Sequence, residues 1–373
     1  MNPADPQQPL FPSFDSLEVV LWPGLAVIVF VATAIIVDVM IILAARFRLV
    51  DLPNKRSAHA LPTARGGGAA IVVAATIASL VVAYRWPGFA TRIGFGLIMP
   101  SLVIAVVGII DDIRPLRPLL RLGIQIGVAI CMTAVLGPVS AIALPGLLEL
   151  NLGSLAWPLT IVWIVGMINA YNFMDGADGM AGLGAVVAGL MIAAIAYRSD
   201  ALAAMLIAAF AAAATGGFLV FNWQPARVFM GDVGSGFLGA IFAGIPLLVR
   251  DAALPTVFLP MAMALWPYIY DPFLSVLRRL WNRENPLEPH REFLFHRLVR
   301  SGVSHGRVSL IYGAMSLVGG LLGFLMVSNV LPEEVRGWLP LGVLALAAGM
   351  TYAIERRCSR VELTPVTQPV ASV

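Results

Sequence analysis

The chain has 373 residues, of which 59% are hydrophobic and only 12% are charged, with a mean hydropathy of +0.88. This balance lies far from that of soluble globular domains and predicts a polytopic protein of the lipid bilayer, with no nucleic-acid partner. The only two cysteines, Cys131 in a predicted span and Cys358 in the C-terminal tail, are not placed to pair. A disulfide framework and a cysteine-based metal site are therefore excluded.

Eleven apolar runs approach the length of about 20 residues that crosses the hydrocarbon core. The eighth is short and the ninth contains prolines, so ten spans are also possible. We expect an all-α polytopic membrane protein, with a single integral membrane domain over 1–354 and a disordered cytoplasmic tail over 355–373. The predicted spans are 20–45, 66–84, 92–110, 119–137, 155–173, 179–197, 200–221, 234–249, 255–277, 307–328 and 337–354.

The basic residues are divided unevenly between the two sides of these spans. Nineteen of the 24 Lys and Arg residues fall in one set of alternate loops and the tail, and five fall in the other set. Because short loops rich in Lys and Arg stay in the cytoplasm, the division predicts an N-terminus outside and a C-terminus inside. Residues 1–18 carry no Lys or Arg and so do not resemble a cleavable signal peptide.

Polar and charged residues collect in five clusters, all in loops that this orientation places in the cytoplasm. A channel or transporter would more naturally place ionisable groups in broken helices at mid-membrane. A one-sided set of carboxylates with Arg, Lys and His predicts an active site at the membrane surface instead. The clusters are 51–68, 108–122, 169–182, 221–239 and 285–298.

Carboxylates stand out in two of these clusters. Asp111 and Asp112 could cap a helix end, but adjacent carboxylates repel unless a cation intervenes, and Mg²⁺ suits hard oxygen ligands. Asn172, Asp175 and Asp178 recur every third residue and could line one wall of a site if they lie on a helix. As bare turn chemistry, their Asp-Gly pairs would be a weak signal.

The last two clusters, 221–239 and 285–298, are each ambiguous when taken alone. "MGDVGSG" at 230–236 could be a glycine loop that holds a phosphate at the start of the eighth span, although it lacks the Lys of a P-loop. His290, His296 and His305 show no zinc-motif spacing and could be inert, or could bind a diphosphate together with Arg291. Asp38, alone in the first span, could be a functional partner or merely near its cytoplasmic end.

The five clusters, in this order, closely resemble the polyprenyl-phosphate N-acetylhexosamine-1-phosphate transferases, the superfamily of the peptidoglycan translocase MraY and the O-antigen initiating enzymes. The pattern D-x-P-x-x-R-S-x-H-x-x-P-T-P-R-x-G-G matches 51–68, with Ala64 for its last proline. N-x-x-N-x-x-D-G-x-D-G-L-A matches 169–181, with Met180 for the leucine, and F-N-x-x-P-A-x-x-F-M-G-D-x-G-S is complete. The last motif, H-R-E-H-L in close relatives, has Phe293 for its second histidine.

The resemblance implies a ten- or eleven-helix catalytic domain in the bacterial inner membrane, with a cytoplasmic active site that depends on Mg²⁺, Mn²⁺ being possible. The implied reaction joins the hexosamine 1-phosphate of a UDP-N-acetylhexosamine to undecaprenyl phosphate and releases UMP. Cell-envelope polysaccharide synthesis, including that of lipopolysaccharide, would begin with this step. The sequence does not select the sugar, and it leaves the oligomeric state open.

Site residues follow from the motifs and the resemblance. By similarity, Mg²⁺ would be held by Asn172 and Asp232. The residues predicted to be catalytic are Asp111, Asp112, Asp232 and His290. The residues predicted to bind substrate are Lys55, Arg56, Asn172, Asp175, Asp178, Asn222, Phe229 and Arg291.

Three questions stay open at the level of the sequence. The lipid phosphate, with a second pKa near 6, could attack directly while Asp111 or Asp112 accepts a remaining proton, or an aspartyl-phosphate could form. A transporter or flippase for an anionic lipid or nucleotide sugar is the alternative function, and a CDP-alcohol phosphotransferase is a second enzyme alternative. Whether His296 replaces the second histidine of the family is also undecided.

Overall fold

The structure is a computed structural model that describes residues 18–47, 50–51, 63–249, 253–285 and 292–362. Four of the predicted site residues, Lys55, Arg56, His290 and Arg291, lie outside the described residues. Within the described ranges the chain is almost wholly helical, which confirms the predicted all-α polytopic class.

Fifteen α-helices follow one another in the described ranges. They are α1 (Glu18–Phe47), α2 (Gly68–Arg85), α3 (Pro87–Thr91), α4 (Met99–Ile113), α5 (Pro118–Leu136), α6 (Ala156–Phe173), α7 (Met180–Arg198), α8 (Leu202–Asn222), α9 (Gly231–Gly244), α10 (Leu254–Ala264), α11 (Trp266–Trp281), α12 (Leu294–Arg300), α13 (His305–Val327), α14 (Glu333–Arg336) and α15 (Leu339–Glu362). A π-helical segment, Arg92–Ile98, joins α3 to α4, so that these form one continuous span.

Ten helical segments of the described chain are long and apolar enough to cross a membrane, matching ten of the eleven predicted runs. The ninth predicted run, 255–277, is instead broken into α10 and α11 at Leu265. Pro267 stands in the first turn of α11, where a ring without an N–H cannot continue the helix before it. Neither piece reaches the length of a spanning helix by itself, so the ninth run consists of two consecutive short helices rather than one unbroken helix.

The helices are buried to very different extents, which locates the centre of the bundle. In α9, 89% of the span is buried inside the protein, whereas the corresponding shares are 17% in α1 and 28% in the span that ends with α15. α9 packs against α4 and α6, and α7 packs against α8 and α13. The short helix that carries "GDVGSG" is therefore the central element, and the outer helices present their apolar faces to lipid.

Two small antiparallel hairpins complete the fold. β1 (Val50–Asp51) pairs with β2 (Thr63–Ala64), and β3 (Ala141–Leu144) pairs with β4 (Leu148–Asn151). At the C-terminus, α15 runs to Glu362, so the predicted domain boundary at 354 falls inside a helix. The Glu355 carboxylate, one residue past that boundary, pairs with Arg278 at 2.9 Å and also with Arg297. The helix thus continues past position 354, with Glu355 in contact with α11 and α12, and the division of the chain into domain and tail stays a prediction.

Candidate active site

The first turn of α9 is built around a glycine that no other residue could replace without strain. Gly231 has a φ of +72°, and a Cβ there would stand 2.7 Å from Oδ2 of Asp112. The Asp112 carboxylate accepts hydrogen bonds from the backbone N–H groups of Asp232 at 3.2 Å and Val233 at 3.3 Å. The last turn of α4 therefore caps the N-terminus of α9 through space.

Two further glycines allow α2 and α4 to approach this turn at backbone distance. A Cβ at Gly68 would lie 2.5 Å from Cα of Gly234, and a Cβ at Gly108 would lie 2.5 Å from the carbonyl carbon of Asp232. Neither contact can be relieved by a side-chain movement, because each involves backbone atoms. The glycines of the first two motifs thus fix where the start of α9 sits.

The segment before α2 runs alongside the segment before α9. Phe229 N–H donates to the Ala64 carbonyl at 2.9 Å, and the N–H groups of Gly67 and Gly68 donate to the carbonyls of Phe229 and Met230 at 3.0 Å. This short ladder places Arg65 and Phe229 at the mouth of the same cavity.

That cavity has a volume of about 350 Å³ and opens at the end of the helix bundle. It brings together five of the predicted site residues, contributed by the ends of α4 and α6, the turn after α6, and the start of α9. The lining residues are Arg65, Asp112, Asn172, Asp175, Phe229, Gly231 and Asp232.

The adjacent carboxylates Asp111 and Asp112 point to different partners. Asp111 accepts the Leu116 N–H at 2.6 Å and pairs with the Arg121 guanidinium at 2.6 Å, and it does not line the cavity. Arg121 also stands 3.4 Å from Asp232. Because Asp112 caps α9, the N–H groups of its first turn at 232 and 233 are already occupied. These two N–H groups donate to Asp112 in this structure, and the binding of a phosphate by the glycine loop stays a prediction.

Asn172 and Asp175 form the opposite wall. The Ser235 hydroxyl donates to Oδ1 of Asn172 at 2.6 Å, which ties α6 to α9. Burial, together with the negative charges of Asp232 and Asp112, raises the pKa of Asp175 well above its ordinary value. A cation beside Asp175 would favour its charged carboxylate form, so this wall suits a metal ion.

The donor set suits Mg²⁺ bound together with a substrate phosphate. In the part of the chain that the structure describes, no group of three or more His, Cys, Asp or Glu side chains forms a preformed metal cage. Mg²⁺ is commonly held by one or two carboxylates plus substrate phosphates, with waters completing the octahedron. Oxygen atoms of Asp232, Asp175 and Asn172 around one cavity fit that arrangement.

Asp178 and Asn222 lie beside the cavity rather than in its wall. Oδ2 of Asp178 accepts the Ala226 N–H at 3.2 Å, and Oδ1 of Asn222 accepts the Gly179 N–H at 3.0 Å. The Asn222 amide also donates to the Val228 carbonyl at 2.8 Å. Both side chains join the turn after α6 to the loop before α9, and their contact with a nucleotide stays a prediction.

Several residues of the site were not singled out from the sequence. Arg65 lines the cavity, Arg121 bridges two aspartates, and Ser235 holds Asn172. His305 was named from the sequence, but its partner was not: its Nδ1 lies 3.3 Å from the backbone N and 3.3 Å from Oδ1 of Asp178. Each stands within or next to a polar cluster, but only the fold shows which partner it meets.

In the last cluster, 285–298, the structure describes the aromatic residues but not His290 and Arg291. Phe293, which replaces the second histidine of the family pattern, is buried and stacks on Phe173 and Phe295 with centroids 5.8 Å apart in each pair. His296 packs on Phe295 at 4.0 Å. A Cβ on Gly176 would stand 2.7 Å from the Phe295 ring, so α12 closes directly on the turn after α6.

Comparisons with known proteins show which family the chain belongs to. Residues 94–250 match the model of glycosyl transferase family 4. The chain is 32% identical over 306 residues to a probable undecaprenyl-phosphate N-acetylglucosaminyl 1-phosphate transferase of Bacillus subtilis, covering 81% of this chain and 82% of that protein. It is 31% identical over 338 residues to a decaprenyl-phosphate N-acetylglucosaminephosphotransferase of Mycolicibacterium smegmatis, covering 82% of each.

A more partial similarity extends to a third protein. Over 168 residues, 42% of this chain and 50% of the relative, it is 34% identical to a phospho-N-acetylmuramoyl-pentapeptide-transferase of Streptococcus agalactiae. The fold and these similarities identify a polytopic membrane enzyme. The chain belongs to glycosyl transferase family 4, in its branch of polyprenyl-phosphate hexosamine-1-phosphate transferases.

Proposed function

We propose that this protein transfers N-acetylglucosamine 1-phosphate from UDP-N-acetylglucosamine to undecaprenyl phosphate in a bacterial inner membrane, releasing UMP. The observation that carries the proposal is the single cavity where Asp112, Asn172, Asp175 and Asp232 converge beside Arg65. Transfer of hexosamine 1-phosphate to a polyprenyl phosphate is the reaction of the family to which the chain belongs. The product would begin a cell-surface polysaccharide.

The choice of N-acetylglucosamine is supported by the extent of the similarities. The relatives named for N-acetylglucosamine align over four-fifths of this chain, whereas the muramoyl-pentapeptide enzyme aligns over 42%. α13 approaches the turn carrying Asp178, because His305 and Ser309 contact that residue. We propose that residues at this turn help to select the sugar of the donor.

Magnesium is the metal that we assign to the cavity, with Asp232 and Asn172 as its ligands and Asp175 beside them. Mg²⁺ would screen the two anionic substrates from each other and stabilise charge on the leaving UMP. The chain's own cations stand at the rim, since Arg65 lines the cavity and Arg121 lies 3.4 Å from Asp232. These guanidinium groups can orient phosphate oxygens.

The reaction then needs little proton transfer. A phosphate monoester is mostly dianionic at pH 7, so an oxygen of undecaprenyl phosphate can attack the sugar-side phosphorus of the donor in line. The bond from that phosphorus to the oxygen bridging it to the uridine-side phosphate breaks, and the electron pair leaves with UMP. Asp112 positions Asp232 by capping α9, which assigns it a positioning role rather than that of a nucleophile.

The side of the membrane is also part of the proposal. The excess of Lys and Arg in the loops at the cavity end of the bundle supports a cytoplasmic active site. A nucleotide-sugar donor is made in the cytoplasm, which agrees with this orientation.

Transfer of radiolabel from UDP-[¹⁴C]N-acetylglucosamine into solvent-extractable lipid tests the reaction on purified protein. We expect a lipid diphosphate sugar that depends on undecaprenyl phosphate and on Mg²⁺, with equimolar UMP. Uptake of the donor into vesicles without a lipid-linked product would instead identify a transporter. Mass spectrometry of lipid products from a panel of UDP-sugars decides the sugar, and a product from another donor alone would overturn the N-acetylglucosamine assignment.

A further inference from the structure

A second polar cavity lies at the same end of the bundle as the catalytic one. Its volume is about 430 Å³, and the ends of α11 and α15 surround it together with α12. Its lining residues are Arg278, Asn282, Glu292, Arg297, Arg300, Ser301 and Cys358. Among the described residues, the two cavities share no lining side chain.

Positive charge exceeds negative charge around this cavity. Arg278 and Arg297 share one carboxylate, that of Glu355, which leaves part of both guanidinium groups free for another anion. In the described ranges Arg300 forms no ion pair. Arg357 donates to the Ser301 hydroxyl at 2.9 Å and to the Ser301 carbonyl at 3.3 Å.

The remaining carboxylates nearby do not cancel this excess. Glu284 and Glu292 both pair with Arg279, at 3.0 Å and 3.7 Å. Three arginines and one glutamate line the cavity itself, an excess of two positive charges. Arginine presents a planar fork of N–H donors that matches phosphate oxygens, and Asn282 and Ser301 add neutral donors.

An apolar surface adjoins the charged one along α11. Phe273, Leu277 and Leu280 are exposed on one face of that helix, at a spacing of three to four residues. Trp281, three residues after Arg278, is 89% exposed at the end of the helix. Tryptophan is enriched at the membrane–water interface, so this end of α11 lies at headgroup depth.

We propose that the cavity binds the phosphate headgroup of an anionic phospholipid, whose acyl chains lie on the exposed face of α11. The arginines would meet the phosphate while Phe273, Leu277 and Leu280 meet the chains. Basic pockets between helices at a membrane surface are suited to anionic headgroups. The site is separate from the cavity proposed for catalysis, so it can be tested without reference to turnover.

The first experiment measures which lipid stays on the protein. Full-length protein in a neutral detergent receives equal phosphatidylglycerol and phosphatidylcholine, and native mass spectrometry counts the lipids retained. We expect wild type to retain phosphatidylglycerol preferentially. In Arg300→Glu the ratio of retained phosphatidylglycerol to retained phosphatidylcholine should fall about tenfold. Arg356→Glu is the matched control, because Arg356 is exposed on α15 and does not line the cavity. Equal losses in the two variants would overturn the proposal.

A second experiment needs no change in the arginines and so does not depend on how their variants fold. Cys358 lines the cavity, with its Sγ 3.7 Å from the Arg297 carbonyl, and Cys131→Ser leaves it as the single thiol. We expect N-ethylmaleimide to react several-fold more slowly in phosphatidylglycerol vesicles than in phosphatidylcholine vesicles. The control places the thiol one residue further along, as Ser359→Cys with Cys358→Ser, where the side chain is exposed.

Each outcome of the thiol experiment decides a question. Protection of Cys358 but not of the thiol at 359, by phosphatidylglycerol and not by millimolar inorganic phosphate, supports the lipid headgroup. Equal protection by inorganic phosphate in phosphatidylcholine vesicles would identify a free phosphate as the ligand and overturn the lipid assignment. Equal slowing at both positions, or none, would show that the cavity holds no anion.

Discussion

Replacement of Asp112 by Asn and by Ala separates two roles that the sequence left open for the paired aspartates. Asp112 accepts the N–H groups of Asp232 and Val233, at 3.2 Å and 3.3 Å, and it also lines the catalytic cavity. If Asp112 mainly holds the start of α9, the amide oxygen of asparagine should replace its carboxylate in part, because asparagine is also a good helix cap. The methyl group of alanine accepts no hydrogen bond and cannot replace it.

The structure sets the size of the expected effects. Asp112→Ala should lower the free energy of unfolding by about 0.5–2 kcal/mol, the range measured for a lost helix cap, whereas Asp112→Asn should lose less. Both variants should need more Mg²⁺ for half-maximal transfer, since each removes one negative charge from the cavity. Asp112→Asn should regain most of its kcat at saturating Mg²⁺, because Asp232 keeps its position.

The assay is transfer of labelled sugar phosphate to lipid at a series of Mg²⁺ concentrations, with the melting temperature measured in the same detergent. Asp111→Asn serves as a comparison, because Asp111 pairs with Arg121 and does not line the cavity. If Asp112→Asn and Asp112→Ala lose kcat equally at all Mg²⁺ concentrations, with unchanged melting temperatures, Asp112 acts on the reacting phosphate and the positioning role is refuted.

Three further predictions concern the same site and its orientation. Asp232→Asn should abolish transfer without loss of folded protein, because a proposed Mg²⁺ ligand loses its charge; near wild-type turnover at ordinary Mg²⁺ would remove it from the ligand set. Asn172→Ala should mainly lower kcat and Asp178→Ala should mainly raise KM for the UDP-sugar, in line with one residue in the cavity wall and one beside it; two variants with wild-type activity per folded molecule would show that both residues only shape the turn. A membrane-impermeant thiol reagent added from the periplasmic side should label Ser199→Cys but not Ser57→Cys, and the opposite result would contradict the proposed orientation.

Much of the fold was open to prediction because a bilayer leaves few choices. Long apolar runs must form helices that satisfy their own backbone hydrogen bonds, so run length alone located ten spans. The break after Leu265 was missed because the prolines within 255–277 could also have been tolerated inside one kinked helix. Only packing decides that choice: a Cβ on Gly319 of α13 would clash with Met263 and Trp266 at the break.

The candidate site was also predictable only in part. Its members were predictable because polar groups at the edge of an apolar span need a partner or a task. Their pairings were not, because they join positions far apart in the chain. Asp112 meets the N–H of Asp232 across 120 positions, and Asp178 meets His305 across 127. No local pattern distinguishes a carboxylate that caps a distant helix from one that accepts a proton.

The broken helix has a consequence for the motif that follows it. Asp271, fully buried in α11, accepts the N–H groups of Leu294 at 2.7 Å and Phe295 at 3.1 Å, and the Tyr312 hydroxyl at 2.7 Å. These bonds anchor the first turn of α12 to α11, and Phe293 adds its stack on Phe173 at the end of α6. Residues 293–295 are therefore held by a carboxylate and an aromatic stack. Because Phe293 already stacks on Phe173, a second histidine at position 293 is not needed to dock α12 against the turn after α6.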